Sequence, residues 1–408
     1  MASIRSLAAT AALFGSVMAS PHDRRALPAL AQVINQKSFN VLPTVPTPEE
    51  YNGSSAPWVP TNMTAAGLLE KPFHVYDDEF LAIIGPNPTL SLIGQTSKDP
   101  IFHEAVVWYK AKDEMWFAQN AGAPDAGTGA NKSAVLYKIS LKEADAVKNE
   151  RNAVGKVKIQ LVEHSPPIPN PNGAIQYKGK LLFVGSGQGA NIPPALVLLD
   201  PSSEPYKTTT LLNNYHGRQF NSLNDVTVNP RNDEIYFTDP SYGLSNNFRP
   251  EVGLPRQVYR FDEKTGAVAV VADGFIMPNG ITFSPGGKHA YVTDTGMWRN
   301  GLELANPSSI YRFDVAKDGT FENRKTFAFT DINIPDGVHV DTKGNVYAGC
   351  GDGVQVWNPS GKLIGKIYTG RTAANFQFAS DGRLTIMGET NLYYATVAAQ
   401  GDLLEKHL

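Results

Sequence analysis

Four oxygen-bearing residues stand at one register of a repeated pattern. The stretch NDVTVNPRNDEIYFTD starts on Asn224, NGITFSPGGKHAYVTD on Asn279 and DGVHVDTKGNVYAG on Asp336. In each, apolar residues follow two and four positions later (Val226/Val228, Ile281/Phe283, Val338/Val340), then a turn, then a second apolar run. EAVVWYKAKDEMWFA puts Glu104 at the same position, ahead of Val106 and Trp108. Two carboxylates and two carboxamides converging on one place would repel or stay unpaired unless a divalent cation joined them. Oxygen-only ligation suits Ca2+, which takes about six to eight oxygens in flexible geometry and so leaves positions for water and substrate. Magnesium and manganese are alternatives. Zinc is disfavoured, because no His or Cys stands at this position. Taken singly, the Asn-Gly at 279–280 and the Asp-Gly at 336–337 also read as turn formers. Four such residues in one register favour the cation.

The elements that must position them are strands. GAIQYKGKLLFVG and ANFQFASDGRLTIMG repeat the frame with Gly173 and Ala374 in the anchor position, which makes six copies. Their turns share Gly179, Gly287, Gly344 and Gly382. A propeller blade of four strands needs about 40–50 residues, and the chain has 408. The expected fold is therefore all-β: a six-bladed β-propeller with a central metal site, its anchors facing one axis. A β-sandwich array is the alternative. A strand at Leu90–Gln95 (LSLIGQ) would complete the last blade, close the ring and remove exposed sheet edges.

Neighbours of the anchors extend the chemistry. His103 precedes Glu104, Asp225 follows Asn224, and His339 lies three past Asp336. Asp336, His103 and His339 are the candidate proton-transfer groups. Asp239 and Asp294 recur at the ends of FTD and VTD and read as loop caps. Other hydrolytic and cofactor signatures fail. GSGQG at 185–189 precedes no amphipathic helix, so it is a poor dinucleotide site, and no Gly-x-Ser-x-Gly elbow occurs. The loops 241–257 and 295–309, with Arg249, Trp298 and Arg299, are candidates to contact substrate.

Composition limits the setting. A formal charge of −3 provides no electrostatic footprint for nucleic acid or an anionic membrane. Arg5, the apolar run Leu7–Val17 and Val17-Met18-Ala19 form a secretory leader over 1–19, and Arg24-Arg25 suggest a propeptide over 20–25. Residues 26–408 then form one secreted, extracellular domain. Asn52, Asn62 and Asn131 are N-glycosylation acceptors. The single cysteine, Cys350, excludes an internal disulfide and reads as a small buried hydrophobe.

FHEAVVW, NSLNDVTV, IYFTDPSYG, MPNGITFSPGGKHAYVTDT and IPDGVHVD resemble the gluconolactonase/senescence-marker-protein family of six-bladed propellers, and the similarity extends from about Ser38 to the C-terminus. EKPFHVYDDEF, NAGAPDAGTG and GCGDGVQVWNPSGKLIGKIYTG are similar to the secreted fungal lactonohydrolases in particular. The resemblance implies a calcium-dependent lactonase for small lactones of aldonate or pantoyl type. It places metal ligands at Glu104, Asn224, Asn279 and Asp336, with Asp336 also the general base. One departure stands out: some members carry a substrate-contacting Arg where this chain has Ser222. The competing reading is a non-catalytic secreted propeller binding protein with a structural calcium.

Overall fold

A computed structural model describes residues 27–51, 53, 59–60, 63–202, 204–250, 253–299, 301–404 and 407. The expected leader and propeptide, and the sequons at Asn52 and Asn62, lie outside the described residues. Asn131 is exposed in a turn.

Six antiparallel sheets follow one another along the chain. Blade one runs Glu104–Tyr109, Glu114–Ala118, Leu136–Ser140, Gln160–Val162; blade two Pro171–Tyr177, Lys180–Gly185, Ala195–Asp200, Tyr206–Leu212. Blade three is Val226–Val228, Ile235–Asp239, Gln257–Asp262, Ala267–Ala272; blade four Pro278–Phe283, His289–Asp294, Ser309–Val315, Phe321–Phe329. Blade five is Val338–Val340, Val346–Cys350, Gly353–Trp357, Leu363–Tyr368. Blade six has Asn375–Phe378, Arg383–Gly388 and Asn391–Thr396, and its fourth strand is Thr89–Gln95 from the other end of the chain. Thr89 pairs with Thr396 and Gln95 with Asn391, so the expected closing strand is present.

Burial grades from the axis outward. Every residue of Glu104–Tyr109 and of Pro278–Phe283 is buried, whereas Tyr206–Leu212 and Phe321–Phe329 are largely solvated. An inner strand is covered on both faces because each blade packs between two others, so its apolar residues serve two interfaces. Six apolar clusters fill the six interfaces. Between blades three and four, Tyr236 stands edge-on to Phe283 at 5.0 Å; between five and six, Tyr347 stands edge-on to Phe378 at 5.2 Å. Each fully buried large side chain contributes about 1.5–3 kcal/mol. Cys350 lies within the cluster between blades four and five, as expected.

Three short strands outside the blades were not anticipated. His164–Ser165 pairs in parallel with the outer strand of blade two. Phe73–Val75 pairs with the outer strand of blade five, and Ala31–Val33 adds in parallel outside it. At the far end of the chain, Asp402, Leu403 and Leu404 cross the lower mouth of the central tunnel, with the Asp402 amide donating to the Val340 carbonyl (3.0 Å).

His74, on the added strand, is buried, with Nε2 3.0 Å from the Leu68 carbonyl and its ring stacked on Tyr368 at 4.6 Å. Burial lowers its pKa from 6.5 to about 4, against the Leu68 carbonyl, with Lys366 adding to the fall. A base depressed by folding contributes stability that is present above pH 6.5 and lost as pH falls toward 4. The full loss is roughly 3 kcal/mol. Urea midpoints of the wild type should therefore drop between pH 7 and 4.5 more steeply than those of His74→Phe; equal slopes would contradict this assignment.

Candidate active site

The inner strands enter the ring from loops that aspartates hold. Asp239 accepts from the Asn221 amide (2.9 and 3.0 Å) and the Ser222 amide (2.9 Å), just ahead of Asn224. Asp294 accepts from the Ile276 (3.0 Å), Met277 (2.8 Å) and Gly296 (3.2 Å) amides, just ahead of Asn279. The recurring FTD and VTD thus cap the loops that deliver the two asparagines. The preceding threonines fasten each anchor to the previous blade. Thr238 Oγ1 donates to the Asn279 carbonyl (2.7 Å) and accepts from the Asp225 amide (3.1 Å). Thr293 Oγ1 donates to the Asp336 carbonyl (2.9 Å) and accepts from the Gly280 amide (2.7 Å). From blade two, the Gly173 amide and Asn172 Nδ2 reach the Asn224 carbonyl at 2.6 and 2.9 Å.

This geometry corrects the turn reading of Asn-Gly, whereas Asp336 and Gly337 lead through a bend into Val338–Val340. Asn279 and Gly280 lie inside the strand Pro278–Phe283, and neither Gly280 nor Gly337 has a left-handed φ. Glycine is needed for close approach instead. A Cβ on Gly280 would sit 2.5 Å from the Asp336 carbonyl oxygen, and one on Gly337 2.2 Å from Asn375 Oδ1.

Glu104, Asn224, Asn279, Asp336 and His103 all line one cavity of about 120 Å³ at the upper mouth of the tunnel. Asn224 Oδ1 and Asp336 Oδ1 are buried with no hydrogen-bond partner among the described residues. Glu104 Oε2 accepts from Asn375 Nδ2 (2.8 Å), and Asn279 Nδ2 donates to the Tyr242 hydroxyl (3.0 Å). Burial lifts the Glu104 carboxyl well above its usual range and the charge of Asp336 adds to this, while His103 and Asn375 oppose. Burial likewise raises Asp336 to about 7; His103 and the Asn279 amide pull it back, and Glu389 pushes it up. Two carboxylates thus share a desolvated space in which each disfavours the other's charge.

His103 Nδ1 lies 2.9 Å from Glu389 Oε1, and Asn120 Nδ2 donates to Glu389 Oε2 (3.2 Å). Burial lowers the imidazole pKa, but Glu389, then Glu104 and Asp336, overcome this and raise it to about 9. Glu389 has a φ of 63°, a left-handed conformation that is costly for a residue with a side chain. Paired backbone hydrogen bonds with Phe102 (3.0 and 2.8 Å) hold it there.

His339 is not brought to this cavity. Three residues along an extended strand is about 10 Å, which carries it to a second cavity at the lower mouth, beside Asp225 and Asn375. Its ring stands edge-on to Phe376 at 5.0 Å, and burial lowers its pKa to about 4. This corrects its place among the proton-transfer candidates. Asp225 accepts from the Val226 and Ile281 amides (both 2.8 Å) and so ties blade three to blade four. Of the loop candidates, Arg249 donates to the carbonyls of Gly189 (3.1 Å) and Ile192 (2.9 Å) and to Gln219 Oε1 (2.8 Å), so it braces loops instead of facing the cavity. Trp298 donates to Asn333 Oδ1, and neither it nor Arg299 lines the cavity. Ser222 Oγ donates to the Pro240 carbonyl (3.1 Å) and accepts from the Gly243 amide (3.0 Å), a structural role. The sequence reading missed Asn375, Glu389, Asn120 and Tyr242. Asn375 follows its blade's anchor directly, where Asp225 also sits, and that shared register was the available signal.

Residues 104–387 match the SMP-30/gluconolactonase/LRE-like region. The chain belongs to that family. Among its relatives, lactonohydrolase oryL of Aspergillus oryzae is 29% identical over 375 residues, covering 85% of this chain and 78% of that protein. A gluconolactonase of Zymomonas mobilis is 26% identical over 240 residues, covering 54% and 63%. The solved gluconolactonase of Xanthomonas campestris superposes with a TM-score of 0.61 at 23% identity, over 80% of this chain and 94% of that one. Regucalcin of Agrobacterium tumefaciens, a calcium-binding protein, gives 0.51 at 15% identity, over 77% and 97%. The two structures share the propeller fold.

Thr293→Val tests the blade-to-blade fastening. It leaves the Gly280 amide and the Asp336 carbonyl without their buried partner and should destabilise the protein by about 1–3 kcal/mol. Thr293→Ser, which keeps the hydroxyl, should lose clearly less in chemical denaturation. Equal losses would show that the methyl group, not the hydroxyl, matters.

Proposed function

We propose that this chain is a secreted, metal-dependent lactonohydrolase that opens small lactones of aldonate or pantoyl type. The observation that carries the reading is the pair of unpartnered buried oxygens, Asn224 Oδ1 and Asp336 Oδ1, in the cavity that Glu104 and Asn279 also line. Relatives that are lactonohydrolases and gluconolactonases support the reaction class, and the calcium-binding neighbour supports a calcium-type ion.

The residues fit a hard dication. Orphaned oxygens gain a partner, the repulsion between Glu104 and Asp336 is offset, and the donor set is all oxygen. Among the described residues no three His, Cys, Asp or Glu side chains gather as a metal cluster, so the two amides are needed to complete the set. When bound by Glu104, Asn224, Asn279 and Asp336, Ca2+ would polarise a lactone carbonyl and steady the oxyanion.

The chain's own residues handle the proton. Glu389 holds the Nδ1–H of His103, which leaves Nε2 as the free nitrogen. Glu389 contributes most to raising His103 and stays behind the ring to steady the imidazolium, whereas the smaller contributions of Glu104 and Asp336 are the ones a dication would offset, so His103 acts as base in the molecules where its ring is neutral. His103 Nε2 takes a proton from the attacking water. The water oxygen bonds to the carbonyl carbon, the ring C–O bond breaks, and His103 returns the proton to the departing alkoxide, giving a hydroxy acid. Asp336, the base that the family resemblance implies, is engaged as a ligand in this assignment.

A pH-indicator screen of purified protein against aldonolactones, pantoyl lactone and bulky aromatic lactones tests the reading. Chelator should abolish turnover and added calcium restore it; full activity in chelator would contradict metal dependence, and calcium binding without turnover of any lactone would favour a binding protein. Asp336→Asn and Asn279→Ala should fold and lose activity. His103→Gln should lower kcat by about 10²–10⁴-fold with the fold retained, and Glu389→Gln by less. Wild-type rates in His103→Gln would remove it from the mechanism. Protein purified from culture medium should begin after Ala19 or after Arg25; an intact Met1 would refute the leader.

A further inference from the structure

We infer that Phe248, Ala121 and Ile334 form an apolar wall that determines substrate choice, selecting uncharged lactones with alkyl ring substituents over polyhydroxylated or anionic ones. The inference rests on the lactonase reading above and deepens it.

All three residues line the upper cavity with the four oxygen donors. Phe248 and Ala121 pack together with Ala134 in a cluster of their own. The wall is rigid for a local reason. Loops 120–128 and 242–249 touch so closely that a Cβ on Gly122 would lie 2.4 Å from the Asn246 carbonyl oxygen, 2.7 Å from Asn246 Cβ and 3.0 Å from the Phe248 ring. The Phe248 carbonyl accepts from the Gly189 amide (2.8 Å), and the adjacent Arg249 is tied by its guanidinium to the same stretch, at the Gly189 and Ile192 carbonyls.

Most of the remaining polar groups of the lining are already engaged; the exception is Asn246, which is exposed and held only by a long contact from Nδ2 to the Ala121 carbonyl (3.5 Å). Asn120 Nδ2 faces Glu389, Asn172 Nδ2 donates to the Asn224 carbonyl, and the Tyr242 hydroxyl holds Asn279 and Thr295. No Arg or Lys lines the cavity among the described residues, and Ser222 and Arg249 are both occupied elsewhere. A lactone hydroxyl turned toward the wall would lose water and gain no partner, which costs more than a missing apolar contact. With a dication offsetting Glu104 and Asp336, the described lining keeps no fixed guanidinium or ammonium to hold a carboxylate or phosphate. An alkyl group would be covered by Phe248 and Ile334.

Two measurements on the full chain with calcium present test the wall. The first is kcat/KM for a dialkyl-substituted and a polyhydroxylated lactone of equal ring size, in wild type, Phe248→Ala, Phe248→Leu and Ile334→Ser. The second is calorimetric binding of the matching lactams, whose ring amide resists opening. The wild type should prefer the dialkyl compound by at least about ten-fold in both, and Phe248→Ala and Ile334→Ser should each cut that ratio several-fold, with Phe248→Leu between. If lactones are opened but the ratio is the same in every variant, the wall is refuted and the lactonase reading stands. If the lactams show the expected preference and its loss but no lactone is opened, the wall stands and the catalytic reading fails. If neither lactone nor lactam is taken, both are overturned. Because Ile334 is only half-buried, its variant gives a result even if Phe248→Ala fails to fold.

Discussion

Glu104 and Asp336 come from blades on different sides of the ring and share one desolvated cavity. Burial raises the proton affinity of both; the charge of Asp336 adds to it at Glu104, and that of Glu389 adds to it at Asp336. Such a pair is unfavourable unless positive charge lies between or beside it. His103 supplies part of that charge, and two amide oxygens point to the rest. Much of the upper mouth is built to hold this unfavourable arrangement still.

The holding is done from blade to blade. Threonine hydroxyls of blades three and four reach the carbonyls of the next anchors, and Asn375 of blade six reaches the Glu104 carboxylate of blade one. The Asp336 backbone approaches so closely that glycine is required at 280, and the Asn375 side chain does the same at 337. Ring closure by Thr89–Gln95 therefore bears on chemistry as well as stability, since it fixes blade six against blade one and so fixes Asn375 and Glu389 against Glu104 and His103.

Much of this was legible in the sequence, for physical reasons. Apolar residues two and four past each anchor, followed by a turn, record a strand buried on both faces, and six copies require closure. The oxygens at the anchors stood out because an inner strand of a packed ring is a poor place for them. Less was legible where the signal was short or non-local. Phe73–Val75 and Ala31–Val33 are three-residue strands with no period to read. Glu389 and Asn120 matter only because two loops meet across the join between blades six and one. In the sixth repeat the apolar pattern marks Ala374 as anchor, while the side chain that works is its neighbour Asn375, at the register of Asp225. His339 was misplaced because spacing along a strand is also distance along the tunnel. The loop arginine Arg249 looked available and is instead a brace.

The central claim is that Glu104, Asn224, Asn279 and Asp336 grip one divalent cation. The most direct measurement is a crystal structure of the protein grown with calcium, with the ion located by its anomalous signal. The account predicts a single strong peak at the upper mouth, with an oxygen of each of the four side chains about 2.3–2.6 Å away. Clear density for those four side chains with no peak among them, or a peak bound elsewhere, would contradict it.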